Sequence, residues 1–138
     1  MRTYLVVAHR TLIGEQLVDH VASLGPPADV RLHLVVPVHH PSGPWSDGVV
    51  VAAARARLDE GLAAFRELGY EVTGEVGDAN PVYAVTTVLR TIPPVDGIVV
   101  STLPKGMSRW LHLDVVHRLR REVEGVEVSH VTAVPADA

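Results

Sequence analysis

Short, unbroken apolar runs alternate along this chain with segments whose apolar residues recur at helical spacing, and that alternation constrains the fold more than any other feature. Tyr4 to Ala8 is the first such run, as expected of a strand buried on both faces. Residues 14–24 follow with Leu17, Val18, Val21 and Leu24 on one helical face, stopped by Gly25-Pro26-Pro27. Arg31 to Val38 reads as a second strand, and His39 to Gly48, with Pro41, Gly43 and Pro44, as a loop. A long helix over 49–68 carries the stripe Val50, Ala54, Leu58, Leu62, Phe65 and Leu68 and ends at Gly69. Tyr70 to Val76 is a short strand.

The second half repeats the pattern. Gly77-Asp78-Ala79-Asn80-Pro81 turns the chain into a helix, with Asn80 in the N-cap position and Pro81 at the first helical residue. Val82, Val85, Leu89 and Ile92 form its apolar face, and Pro93-Pro94 close it. Gly97 to Ser101 is a buried strand and Thr102 to Ser108 a loop. A helix over Arg109–Val123 packs through Trp110, Leu113, Val116, Leu119 and Val123, and Val126 to Val134 is a last strand. The order βαβαβαβαβ predicts a parallel sheet covered by helices on both faces, a three-layer α/β/α sandwich. Such sheets take ligands at the carboxyl ends of their strands, near the point where strand order reverses. The connections His9–Gly14, His39–Gly48, Gly77–Asn80 and Thr102–Ser108 are therefore where a site is expected.

Composition narrows the function classes. At 138 residues, 47% of them hydrophobic and 20% charged, the chain has the material for one packed domain over 1–138. It contains no run of eighteen apolar residues and no basic segment leading into a long apolar stretch, which predicts neither a membrane span nor a secretory signal. The absence of cysteine removes disulfides, thiolate nucleophiles and cysteine-ligated metals, and a cytoplasmic protein is expected. A net charge of −4 speaks against nucleic-acid binding, which needs a basic face. One local exception stands out. Between residues 105 and 121, Lys105, Arg109, Arg118, Arg120 and Arg121 face one acid, Asp114, either as a solvated helix face or as a local anion site.

Three segments carry a resemblance. Tyr4-Leu5-Val6-Val7-Ala8 at the start, Gly77-Asp78 before a helix, and Ile98-Val99-Val100-Ser101-Thr102 leading into an arginine-bearing loop and helix resemble the universal stress protein family over nearly the whole chain. The resemblance implies a five-stranded parallel sheet of the adenine-nucleotide α-hydrolase-like type. It also implies a homodimer, and in many members an adenine nucleotide, ATP or AMP, at the strand ends. Nucleotide-binding members carry Gly-x2-Gly-x9-Gly-Ser/Thr after the fourth strand, where glycine lets backbone amides reach phosphates. Laid on this chain without gaps, that pattern falls on Ser101, Pro104, Asp114 and Val115, so every signature position is lost. Pro104 lacks an amide donor and Asp114 brings negative charge. Where such members end the first strand with aspartate, this chain has His9 and then Arg10. Binding of ATP in the family's usual manner is expected to be lost.

The candidate ligand or anion site comprises His9, Arg10, Asp78, Lys105, Ser108 and Arg109. Ser108 stands where it either caps the last helix or donates to a ligand, and Lys105 and Arg109 either meet an anion or are solvated. His9 and Arg10 end a strand, where a histidine serves as a ligand contact or as a polar strand end. Asp78 either contacts a ribose or ligand amine or caps the helix after it, the cap being favoured. Trp45 lies in the Pro/Gly-rich loop, as a lid or as an anchor. The eight histidines show no i, i+4 pair with an acid, so no metal is expected. No Gly-x-Ser-x-Gly elbow or paired acids indicate catalysis.

The last strand alternates Val126, Val128, His130 and Thr132 with a second, partly apolar set. At a sheet edge its unpaired amides would invite another chain, and the family resemblance implies dimerisation through that strand. The expected function is a non-enzymatic stress-related or regulatory protein with a small-anion or nucleotide site. The alternatives are a nucleotide-dependent enzyme with weak phosphohydrolase activity and a ligand-free dimeric interaction module.

Overall fold

The computed structural model describes residues 1–8, Leu12, 14–40, 46–102 and 113–133. Five strands, β1 (Arg2–Val7), β2 (Val30–Pro37), β3 (Glu71–Gly77), β4 (Gly97–Thr102) and β5 (Glu127–Thr132), alternate with helices α1 (Glu15–Ser23), α2 (Asp47–Glu67), α3 (Pro81–Leu89) and α4 (Leu113–Glu122). All strand pairs are parallel, in the order β3-β2-β1-β4-β5. The expected α/β architecture with a five-stranded sheet is present.

Two cores sandwich the sheet. Leu17 and Val21 of α1 and Ala54, Leu58 and Phe65 of α2 bury against Val6, Leu32, Leu34, Val36 and Val99. On the opposite face Val82, Val85 and Val88 of α3 and Val116 and Leu119 of α4 bury against Leu5, Val7, Val35, Ile98, Val100 and Val128. The helix pairs divide this way because a right-handed crossover puts α1 and α2 on one side as the chain moves outward to β3. It puts α3 and α4 on the other side once the direction reverses.

Two local expectations need correction. Leu68, assigned to the apolar stripe of α2, is 49% exposed, because it lies beyond Glu67 where the helix has ended. The sheet is also not covered throughout. On the α3–α4 side, the first half of β2 and the facing residues of β3 carry a partly exposed polar ladder. Arg31 pairs with Glu71 at 3.0 Å, and His33 bonds Thr73 at 2.7 Å and Glu75 at 2.9 Å. Alternation of those residues with Leu32, Leu34 and Val72 marks β2 and β3 as two-faced there rather than doubly buried. Among the described residues, no helix is long and apolar enough to cross a membrane.

Candidate functional site at the strand carboxyl ends

Strand order reverses between β1 and β4, which are adjacent in the sheet while the chain leaves them toward opposite faces. This is where an open parallel sheet forms a crevice. Backbone bonds continue the sheet just past the strand ends. The Ala8 amide donates to Val35 O (3.2 Å), the Val38 amide to Gly77 O (3.0 Å) and the Ala133 amide to Thr102 O (2.8 Å). Of the six candidate site residues, His9, Arg10, Lys105, Ser108 and Arg109 lie outside the described residues, as do Trp45 and Trp110. Asp78 is described, directly after β3.

The expectation that Asp78 caps α3 is corrected by the geometry. Asn80 is the N-cap: its Oδ1 accepts from the amides of Val82 (3.0 Å) and Tyr83 (3.2 Å), with Pro81 at the first helical position. Asp78 stands two residues too early to reach the helix amides. Its Oδ1 instead accepts from the Asn80 amide at 2.8 Å, closing the turn that aims the cap. The glycine before it has a packing role. A Cβ on Gly77 would stand 2.9 Å from Ala84 Cβ and 2.9 Å from Val35 Cγ1, so the missing side chain lets α3 sit down on the end of β3.

One side chain ties the connection after β1 to the body. Leu12 is 1% exposed and fills the notch above Gly61 of α2, where a Cβ would fall 2.3 Å from Leu12 Cδ2. The helical pattern of α2 gives no hint of that notch, because Gly61 falls on the buried face without being an apolar anchor itself.

On the other side of the reversal, Thr102 Oγ1 and His130 Nε2 are 2.7 Å apart across β4 and β5, with Thr102 buried. Burial, and behind it the positive charge of Arg120, hold the His130 pKa below the ordinary 6.5, so its neutral form is favoured. Arg120 itself donates from Nε (3.2 Å) and Nη2 (3.0 Å) to Val128 O. The last strand does occupy a sheet edge, and both its faces are packed: Val128, 4% exposed, joins one core and Val131 and Ala133 the other. Sequence reading grouped His130 with Val126, Val128 and Thr132 as edge residues and missed its bond to Thr102. Nothing in local spacing signals a contact between residues 28 positions apart. Among the described residues, no group of three histidine or acidic side chains is arranged to hold a metal ion.

No protein-family model and no curated protein matches the sequence. Solved structures do resemble the fold. A protein of the universal stress protein family from Burkholderia pseudomallei is 21% identical, with 97% of this chain and 96% of that chain covered and a TM-score of 0.61. A universal stress protein in complex with cAMP is 17% identical over 96% of this chain and 98% of its own, at a TM-score of 0.64. The universal stress protein from Archaeoglobus fulgidus is 12% identical over 96% of this chain and 94% of its own, at 0.59. The chain therefore has the fold of the universal stress proteins.

Proposed function

We propose that this chain is a non-enzymatic, regulatory protein of the universal stress protein type, dimeric and cytoplasmic. In this reading it holds a small anion or an adenine nucleotide at its strand carboxyl ends without the usual ATP-binding loop. The observation that carries this reading is the reversal of strand order between β1 and β4, the point at which open parallel sheets take their ligands; in sequence His9 and Arg10 follow β1, and Lys105, Ser108 and Arg109 follow β4. That a neighbour of the same fold is complexed with cAMP supports a nucleotide as the occupant. The missing glycines argue against the triphosphate. Ser101 is buried inside β4, and Pro104 offers no amide to a phosphate.

The position of Asp78 bears on ligand size. β3 lies three strand steps from β4, roughly 14 Å at about 4.8 Å per step. A phosphate at the β4 end does not reach Asp78; an extended ligand lying across the strand ends does. Asp78 thus belongs to the site only if the ligand is a nucleotide.

Thermal unfolding with millimolar Mg-ATP, AMP, cAMP and inorganic phosphate tests the reading. A ligand at about 100 times its Kd adds about 2.7 kcal/mol, roughly 9 °C for a domain of this size. The expected result is a shift with AMP, cAMP or phosphate that disappears in Lys105→Ala and Arg109→Ala, with the ligand-free Tm unchanged. A larger shift with Mg-ATP than with AMP would mean that the triphosphate mode survives. Release of phosphate from ATP, lost in the same variants, would make the protein an enzyme. No shift with any of the four would leave an interaction module, a reading favoured by the open edge at β5.

A further inference from the structure

The edge opposite β5 is formed by β3, and it is half closed and half open. The Val38 amide donates to Gly77 O, and Gly77 is registered on Pro37, so Glu71, Thr73, Glu75 and Gly77 turn their backbone groups toward β2. Val72, Gly74 and Val76 therefore turn theirs outward, off the sheet. Arg66 of α2 donates from Nη2 to the Val72 carbonyl at 3.4 Å and so covers the first half of the edge. Among the described residues, none bonds the outward amides and carbonyls of Gly74 and Val76.

The two faces beside this open half differ. On the α2 side, Val76 is partly buried against the core, and the missing Cβ of Gly74 leaves room for Leu58. On the other face stands the polar ladder. Glu71 there is paired with Arg31 at 3.0 Å, whereas Glu75 accepts from His33 Nε2 at 2.9 Å and keeps 43% of its side chain exposed.

We infer that the edge of β3 at Gly74 and Val76 accepts an extended segment of another protein, with a basic residue facing Glu75 and apolar residues on either side of it. Side chains of paired strands share a face with the residues they oppose. The segment's residues opposite Gly74 and Val76 thus fall on the α2 side, sheltered beside Val76, and the one between them falls beside the Glu75 carboxylate. A second copy of β3 does not fit. Pairing the open residues of two copies with each other, Gly74 with Val76, sets two Glu75 carboxylates directly opposite, which is destabilising. Centring the pair on Gly74 requires the Val72 carbonyl that Arg66 holds. Centring it on Val76 requires Asp78, which lies beyond the strand in the turn to α3. Lysine or arginine in a foreign segment makes an opposite-charge pair of the same position, and the net charge of −4 favours the approach of a basic partner.

Fluorescence anisotropy on the full chain, with labelled acetyl-Val-Lys-Val-Thr-amide and its acidic counterpart acetyl-Val-Glu-Val-Thr-amide, tests this. The lysine peptide should bind, and the glutamate peptide should bind about tenfold more weakly. Glu75→Lys should reverse that preference, a result that loss of folding cannot imitate. Hydrogen exchange followed amide by amide should show Gly74 and Val76 becoming protected by the lysine peptide, while Thr73 and Glu75, already turned toward β2, change little. Equal binding of both peptides, unaltered by Glu75→Lys, overturns the basic preference. Binding that leaves the Gly74 and Val76 amides unprotected overturns strand addition. No binding of the lysine peptide at millimolar concentration overturns both.

Discussion

Thr102 Oγ1 meets His130 Nε2 at 2.7 Å across the two strands that flank the last crossover, and His130 feels the positive charge of Arg120. The hydroxyl is buried, so the pair is a structural bond within the sheet rather than a hydroxyl offered to a ligand. Its consequences are measurable.

Replacing Thr102 with valine keeps the shape of the side chain and removes the hydroxyl. His130 Nε2 then loses its partner beside a positive charge, which should destabilise the fold by about 1 to 3 kcal/mol. Urea unfolding of Thr102→Val against the parent chain measures this directly. An unchanged midpoint would show that water replaces the hydroxyl without loss.

The same histidine makes stability depend on pH in one direction. Its folded pKa lies below 6.5, so between the two values the unfolded chain binds a proton that the folded chain does not. The contribution is complete above pH 6.5 and is lost as pH falls through 6.5 toward the lowered value. Urea midpoints at pH 8 and pH 5 should differ, and His130→Gln should flatten that difference. A His130→Gln chain that keeps the full difference would assign the effect elsewhere. Tyr70 acts at the other end of the scale, where burial raises its pKa above 10.0, so stability falls as pH rises beyond that point.

Two close-packed glycines should rank in a definite order. Alanine at Gly74 would put a Cβ 2.8 Å from the carbonyl oxygen of Leu34 and 2.6 Å from Leu58 Cδ1. A sheet carbonyl cannot yield, so overpacking of about 1 to 3 kcal/mol is expected at the upper end. At Gly61 the obstacles are side-chain atoms of Leu12 and Leu34, and alanine regains about 1 kcal/mol of helix propensity. Gly74→Ala should therefore melt well below Gly61→Ala, and the reverse order would refute the packing account.

At the start of α3, Asn80→Ala should cost about 1 kcal/mol, because two helix amides lose their acceptor. Asp78→Ala should cost less, since it removes one exposed turn bond. Equal losses in chemical denaturation would mean that the two side chains act as a single cap. If a nucleotide raises Tm in the parent chain, Asp78→Ala should reduce that shift while phosphate shifts stay unaltered.

The elements themselves were legible from local pattern. Buried strands announced themselves as continuous valine, isoleucine and leucine runs, and helices as repeats of three and four. Asn80-Pro81 announced a helix start, because caps and periodicity depend on neighbours within one or two turns. The helix of residues 49–68 and the strand of residues 97–101 were read within two residues of their bounds for that reason. The fit of Leu12 over Gly61, the reason for Gly77, and the bond between Thr102 and His130 were not legible, since each joins residues far apart in sequence.

What the sequence determined by itself was therefore the order and kind of elements and the parallel sheet. Those are carried by residue type and spacing alone. Only the tertiary structure decided which strands stand at the edges, that Leu12 sits in the notch at Gly61, and that Arg120 reaches over β5 to hold the Val128 carbonyl. The physical reason is one of range. Periodicity and capping follow from bonds between near neighbours, whereas an edge, a notch or an occupied carbonyl exists only once distant segments have packed and each backbone group has found or failed to find its partner.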